Sequence, residues 1–133
     1  MAAINYTGTD SLHQREKVLI GGLRSSVEDA ITATAGGNQA TAYQLSARIN
    51  RISVCATNAD SVALPLGEVG LEVVVVNDGA ANAQVFGDGT DTIDGIATAT
   101  GVVLTAAKRA TYYCMSVTAG VGAWVSNMGV KSA

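Results

Sequence analysis

Three aspartates spaced by three residues, Asp88, Asp91 and Asp94, form the densest group of chemistry-bearing side chains in the chain. A calcium loop of the EF-hand type needs acids at alternate positions and a closing glutamate. Here the acids recur every third residue and no glutamate follows at the right distance. General acid–base work needs two carboxylates converging on one pocket, which this spacing does not by itself provide. The expectation is a polar loop, Gly87 to Gly95, whose aspartates cap its own turns. His13 is the single histidine and sits on a polar segment with no second imidazole to share a metal. Cys55 and Cys114 lie inside apolar, strand-like runs. They read as two small buried thiols. A disulfide between neighbouring strands is the alternative, and a cytoplasmic place of synthesis weighs against it. Tyr112, Tyr113 and Trp124 are grouped closely enough to stack on a sugar, or else to fill the core or an oligomer interface, and the second reading is preferred. No nucleophile elbow, zinc-protease helix, phosphate loop or Cys-Xaa-Xaa-Cys pair is present. The expectation is therefore a protein that is not an enzyme, with no catalytic residue, no cofactor and no metal.

The elements that would position these residues are strands. Gly70 to Gly79 contains four consecutive valines, Val73 to Val76, followed by Asn-Asp-Gly. β-Branched side chains are stiff at χ1 and suit a pleated strand, and Asn-Asp-Gly tolerates a tight turn. So apolar a run reads as a central strand covered on both sides, by a second sheet or by a partner chain. Asn82 to Phe86 then reads as its hairpin partner. Leu45 to Ala56 reads as a long strand whose apolar parity changes near Asn50, which a bulge would reconcile. Ser61 to Pro65 reads as a short strand, with Pro65 at an edge or an end. Val102–Leu104, Ala110 to Val117 and Gly122 to Ser126 supply further strands, and Lys108-Arg109 marks a turn. Ser25 with Glu28 fits a helix capping box, but Thr32 to Asn38 decays into a turn, so Arg24 to Ile31 carries at most two helical turns, or none. Short strands bounded by turn residues every 8–12 positions indicate a single-domain, all-β antiparallel β-sandwich of jelly-roll type, roughly as the general spacing rule has it. The division is an N-terminal arm over residues 1–30 and a sandwich over residues 31–133.

The totals limit the partners. Charged residues make up 14% of the 133 residues and hydrophobic ones 48%, an apolar balance that points to surface buried in an assembly. The net charge of −3 and the scatter of eight basic residues disfavour nucleic acid. No apolar run approaches the ~20 residues that cross a bilayer as a helix, and the N-terminus lacks the basic start and apolar core of a secretory signal. Neither a membrane nor an exported compartment is expected.

From Ile31 to Ser126 a series of signatures recurs together: Ile31-Thr32-Ala33-Thr34-Ala35-Gly36-Gly37-Asn38-Gln39, Ile49-Asn50-Arg51-Ile52, Asp60 to Pro65, Val75 to Ala80, Val85-Phe86, Asp91 to Gly95, Tyr113-Cys114 and Ala123-Trp124. This pattern resembles the small β-proteins of tailed-phage virion gene clusters, and among them the jelly-roll cement (decoration) proteins of the capsid exterior. The resemblance implies a structural virion protein that binds across junctions between major capsid subunits and resists internal pressure. Its implied partners are the major capsid protein and further copies of itself, as a homodimer in preference to a homotrimer. Its implied location is the capsid outer surface after synthesis in the host cytoplasm. The signatures are turns and core positions rather than a chemical site. A tail-fibre or receptor-binding module that holds a surface glycan is the alternative. The first 30 residues carry none of the pattern, and residues 1–20 read as an arm that orders on a neighbour or packs on its own domain.

Overall fold

The computed structural model describes residues 24–128, and these form a β-sandwich of two mixed sheets. The strands are β1 (Val27–Thr32), β2 (Tyr43–Gln44), β3 (Ile49–Val54), β4 (Asp60–Ala63), β5 (Glu72–Asn77), β6 (Ala83–Phe86), β7 (Thr92–Ile93), β8 (Val102–Leu104), β9 (Lys108–Thr118) and β10 (Val121–Met128). One sheet has the order β1-β3-β5-β9-β10-β7 and the other β2-β4-β6-β8. Up to β6 the chain alternates strictly between them. β1, β3 and β5 stack in parallel on one side, and β2, β4 and β6 stack in parallel on the other. This half is a flattened coil of three turns. The return segment then closes both sheets with antiparallel pairs, β8 on β6, β9 on β5, and β10 on β9.

The all-β sandwich agrees with the sequence, but the pairing is mixed rather than wholly antiparallel. The reason lies in the corners. β5 does not turn back into a hairpin with β6; it crosses to the opposite sheet, where β6 lies between β4 and β8. The buried Asn77 side chain donates to the carbonyls of Ala81 and Leu104 and accepts from the Gly79 amide, so it directs this crossing. Gly79 backs directly onto the corner beneath, where a Cβ would stand 2.5 Å from that of Cys55. Two asparagines repeat along the same side. Asn58 accepts from the Asn82 amide and Asn82 from the Ala106 amide, each at 3.0 Å, which locks successive turns in register.

The expected bulge near Asn50 is instead a bend at Ala47-Arg48, where the chain passes from β2 to β3. Asn50, fully buried, donates to the carbonyls of Ala47 and Val74 and holds that bend closed. Arg24 to Ile31 carries no helix. β1 begins at Val27 and crosses the expected boundary between residues 30 and 31, because Val27 and Ile31 pair with Ile49 and Ile52 of β3. Pro65 follows β4, which is an interior strand, so it marks an end and not an edge. Lys108 and Arg109 lie within β9; the turn before them is carried by Ala107, at φ 64°. The core between the sheets is built from Ile31, Leu45, Ile52, Val62, Leu64, Val73, Val75, Val85, Leu104, Tyr112 and Trp124. Phe86 is buried as well.

Candidate functional site

The three aspartates do not converge. Asp91 points inward and is only 2% exposed. One of its oxygens accepts from the Gly122 amide at 2.6 Å; the other accepts from the Gly67 amide at 3.0 Å and from Trp124 Nε1 at 3.2 Å. A Cβ on Gly67 or Gly122 would come within 2.8 Å of the carboxylate, so only glycine lets both amides approach. Asp94 lies at the exposed edge, where its carboxylate accepts from the amide and hydroxyl of Ser126. Asp88 closes the local turn through its backbone carbonyl, which accepts from the Asp91 amide. Asp91 and Asp94 thus tie the 87–95 loop to β10 and to the loop before β5. They cap amides of distant segments, not those of their own loop as the spacing suggested. No cluster of three potential metal ligands occurs among the described residues.

The aromatic group divides between two faces. Tyr112 and Trp124 are buried in the core, while Tyr113 is half-buried on the opposite side of β9. Alternation along the strand forces this split, so the three rings cannot form one stacking platform. The Tyr112 hydroxyl finds no hydrogen-bond partner among the described residues, and burial, with the nearby Asp94 carboxylate second, drives its pKa far up. Cys55 and Cys114 are free and buried. Burial pushes both thiols up, assisted by the negative charge of Asp60 and Asp91 respectively, so neither is poised as a nucleophile. His13 and residues 1–20 lie outside the described residues.

What remains is a surface. The outward face of the six-stranded sheet is read directly from the register. One row runs Val27, Ile49, Val74, Thr111, Asn127; the next runs Glu72, Tyr113, Val125; a third runs Arg51, Val76, Arg109. Met115, 60% exposed, is the extra residue where the β9–β10 register shifts between Ala123 and Trp124. Charges at this face are largely paired within the chain. Arg48 meets Glu72, and Arg51 meets both Asp29 and Asp78 at 2.8 and 2.7 Å. Arg51 holds the Asp29 carboxyl below the usual carboxylate range. The face therefore offers valine, isoleucine, tyrosine and methionine side chains between the Arg48 and Arg51 ion pairs, with Arg109 exposed in the third row. The sequence carried one sign of it: Val74 and Val76 are apolar on the parity opposite the core pair.

No protein-family model matches this chain, and no curated protein matches it either.

Proposed function

We propose that this protein is a non-enzymatic structural component of a phage virion, which binds the capsid exterior and cements major capsid subunits against internal pressure. The observation that carries this reading is the outward face of the six-stranded sheet. Parallel strands are ordinarily covered on both sides. Here β1, β3 and β5 are covered on one side only by the described chain, and the bare side is largely apolar, with Arg48 and Arg51 paired within the chain and Arg109 at its margin. A face of that kind suits close packing against another protein more than steering of an ion or polyanion. Holding many copies on one shell converts a modest contact into firm attachment, since each shell presents the same junction repeatedly. The resemblance in the Ile31 to Ser126 signatures names the shell as a tailed-phage capsid and allows self-contact as a homodimer. The glycan-binding alternative relied on a shared aromatic platform, and the burial of Tyr112 and Trp124 removes two of its three rings.

Co-sedimentation with empty capsid shells tests this reading. The native protein is expected to pellet with shells, and a variant carrying Val74→Asp and Met115→Asp to remain in the supernatant while still folded. Failure of the native protein to pellet, or equal pelleting of the folded variant, overturns it.

A further inference from the structure

Three Asp-Gly pairs occur in the chain, Asp78-Gly79, Asp88-Gly89 and Asp94-Gly95. In such a pair the aspartate carboxyl and the next amide nitrogen can close into a five-membered ring, because glycine places no side chain in the way. The fold treats the three pairs differently. The Asp78 carboxylate accepts from Arg51 Nε at 2.7 Å, and the Gly79 amide is committed to Asn77 Oδ1 at 2.9 Å. A Cβ on Gly79 would stand 2.5 Å from the Cys55 nitrogen, so that corner has no room to swing. The Asp94 carboxylate is held by the amide and hydroxyl of Ser126. At Asp88 the carboxylate accepts no hydrogen bond and meets no cation among the described residues. Gly89 is exposed at φ 54°, with open space where a Cβ would stand, and its amide donates to no group among the described residues.

We infer that Asp88-Gly89 is a site of spontaneous isomerisation to isoaspartate, and that this change loosens the Asp91 clamp. The Gly89 nitrogen attacks the Asp88 side-chain carboxyl carbon. The new C–N bond forms, the C–OH bond breaks, and the amide proton leaves with the hydroxyl as water. Water then adds to the main-chain carbonyl carbon of the succinimide and breaks its bond to nitrogen. The product has the mass of the starting chain, and no oxidant or enzyme takes part. The backbone now runs through the Asp88 side chain and is one methylene longer, while the former main-chain carbonyl becomes a free carboxylate. That carbonyl closes the local turn by accepting from the Asp91 amide at 2.8 Å. The turn has little slack to absorb the change. Gln39 Nε2 grips the carbonyls of Gly87 and Gly89 at 2.6 and 2.8 Å, and a Cβ on Gly87 would stand 2.7 Å from the Asp91 carbonyl oxygen. The added length therefore falls on Asp91, whose carboxylate holds Gly67, Gly122 and Trp124 together. This inference does not depend on the capsid reading.

The test ages the full native chain in mildly acidic buffer and maps isoaspartate by peptide mass spectrometry with electron-transfer fragmentation. IsoAsp88 is expected to accumulate several-fold faster than isoaspartate at 78 or 94. In guanidinium-unfolded protein the three sites should react at similar rates, because only the fold tells them apart. Absence of isoAsp88 from the folded protein, or faster reaction at 78 or 94, overturns the site. Selectivity that persists in the unfolded chain overturns the structural reason for it. A second readout follows the clamp through the fluorescence of Trp124, the single tryptophan. Its urea midpoint should fall in step with the isoAsp88 fraction, while Asp88→Glu, or Asp88→Ser if the first variant does not fold, keeps its midpoint on ageing. An unchanged midpoint in isomerised protein, or an equal fall in the variant, overturns the loosening.

Discussion

The two faces of β5 hold the same residue type in two environments. Val73 and Val75 point into the sandwich and are 1% and 0% exposed. Val74 and Val76 point outward and remain half-buried. Across the sheet the inward rows join Asn50, Val75 and Ala110, and then Val73, Tyr112 and Ser126. The outward rows carry Val27, Ile49, Val74, Tyr113 and Val125. Hydrophobic burial already explains the inner face. Nothing in the fold of residues 24–128 requires the outer face to be apolar, and the proposed capsid contact would account for its composition. This contrast separates what stabilises the domain from what it presents.

Val75→Asp is the largest expected break. It places a carboxylate at a fully buried site with no cation opposite, among Asn50 and Ala110. Burying an unpaired charge costs several kcal/mol, and whole domains are stable by only about 5–15 kcal/mol. A loss of the cooperative thermal transition in circular dichroism is expected. A variant melting near the native temperature would show that the two faces do not differ as described.

Asp91→Ala comes next. It strips an acceptor from the Gly67 and Gly122 amides and from Trp124 Nε1, all at the inner face. Each orphaned buried donor costs ~1–3 kcal/mol, so a loss of about 3 kcal/mol or more is expected from urea titration. Asp91→Asn keeps part of the acceptor capacity and should lose less. Equal midpoints for native and Asp91→Ala protein would mean that the carboxylate does not fasten β10 to the loops around it.

Much of the inner face was legible in the sequence and little of the topology. The valine run, Phe86, Trp124 and both cysteines declared themselves through apolar type and parity. The crossovers did not, because a corner between sheets uses the same Asn, Asp and Gly residues as a hairpin turn. What distinguishes them is where Asn77 and Asn50 send their side-chain hydrogen bonds, and that is a tertiary fact. Several turns are also carried by alanines at positive φ, Ala59, Ala107 and Ala119 among them, which gives no compositional signal. The capping-box pattern of Ser25 and Glu28 lost to strand pairing. Ser25 instead accepts from Arg48, and Glu28 accepts from the Tyr43 hydroxyl. Asp91 looked like one of three equivalent acids, since nothing local announces that its partners lie at Gly67 and Gly122. The outer face was half legible: four valines in a row demanded cover on both sides, but not which side the chain would leave open.

Val74→Asp sharpens the contrast from the other side. A strand covered on both faces, as the sequence reads it, would make this a severe defect. With Val74 half-buried beside Ile49 and Thr111, the introduced carboxylate can reach water. A stability loss of about 1 kcal/mol is expected, the ordinary scale for a partly exposed site. If the proposed capsid contact uses this face, the loss of shell binding should be much larger than the shift in melting temperature. Unfolding as complete as that of Val75→Asp would show the outer face to be covered by the chain's own residues.

Tyr112→Phe should have the smallest effect, and it probes the one flaw on the inner face. The Tyr112 hydroxyl is buried beneath the sheet with no hydrogen-bond partner among the described residues. Removing an unsatisfied hydroxyl while keeping the ring should leave stability unchanged or raise it by up to ~1 kcal/mol at neutral pH. The pH dependence gives a second signature. Burial raises the folded-state pKa well above the unfolded value near 10, so the folded protein keeps its proton where the unfolded chain has released it. Below pH ~10 this group contributes no slope; above it, ionisation of the unfolded chain draws the equilibrium away from the fold, and stability falls as pH rises. Tyr112→Phe lacks that term, so its advantage over the native protein should widen above pH ~10. A remaining alkaline slope is expected from Tyr43, whose hydroxyl is held protonated by its hydrogen bond to Glu28. Parallel stability curves for native and Tyr112→Phe protein through pH 11 would mean that the hydroxyl has found a partner, and that the inner face is fully satisfied.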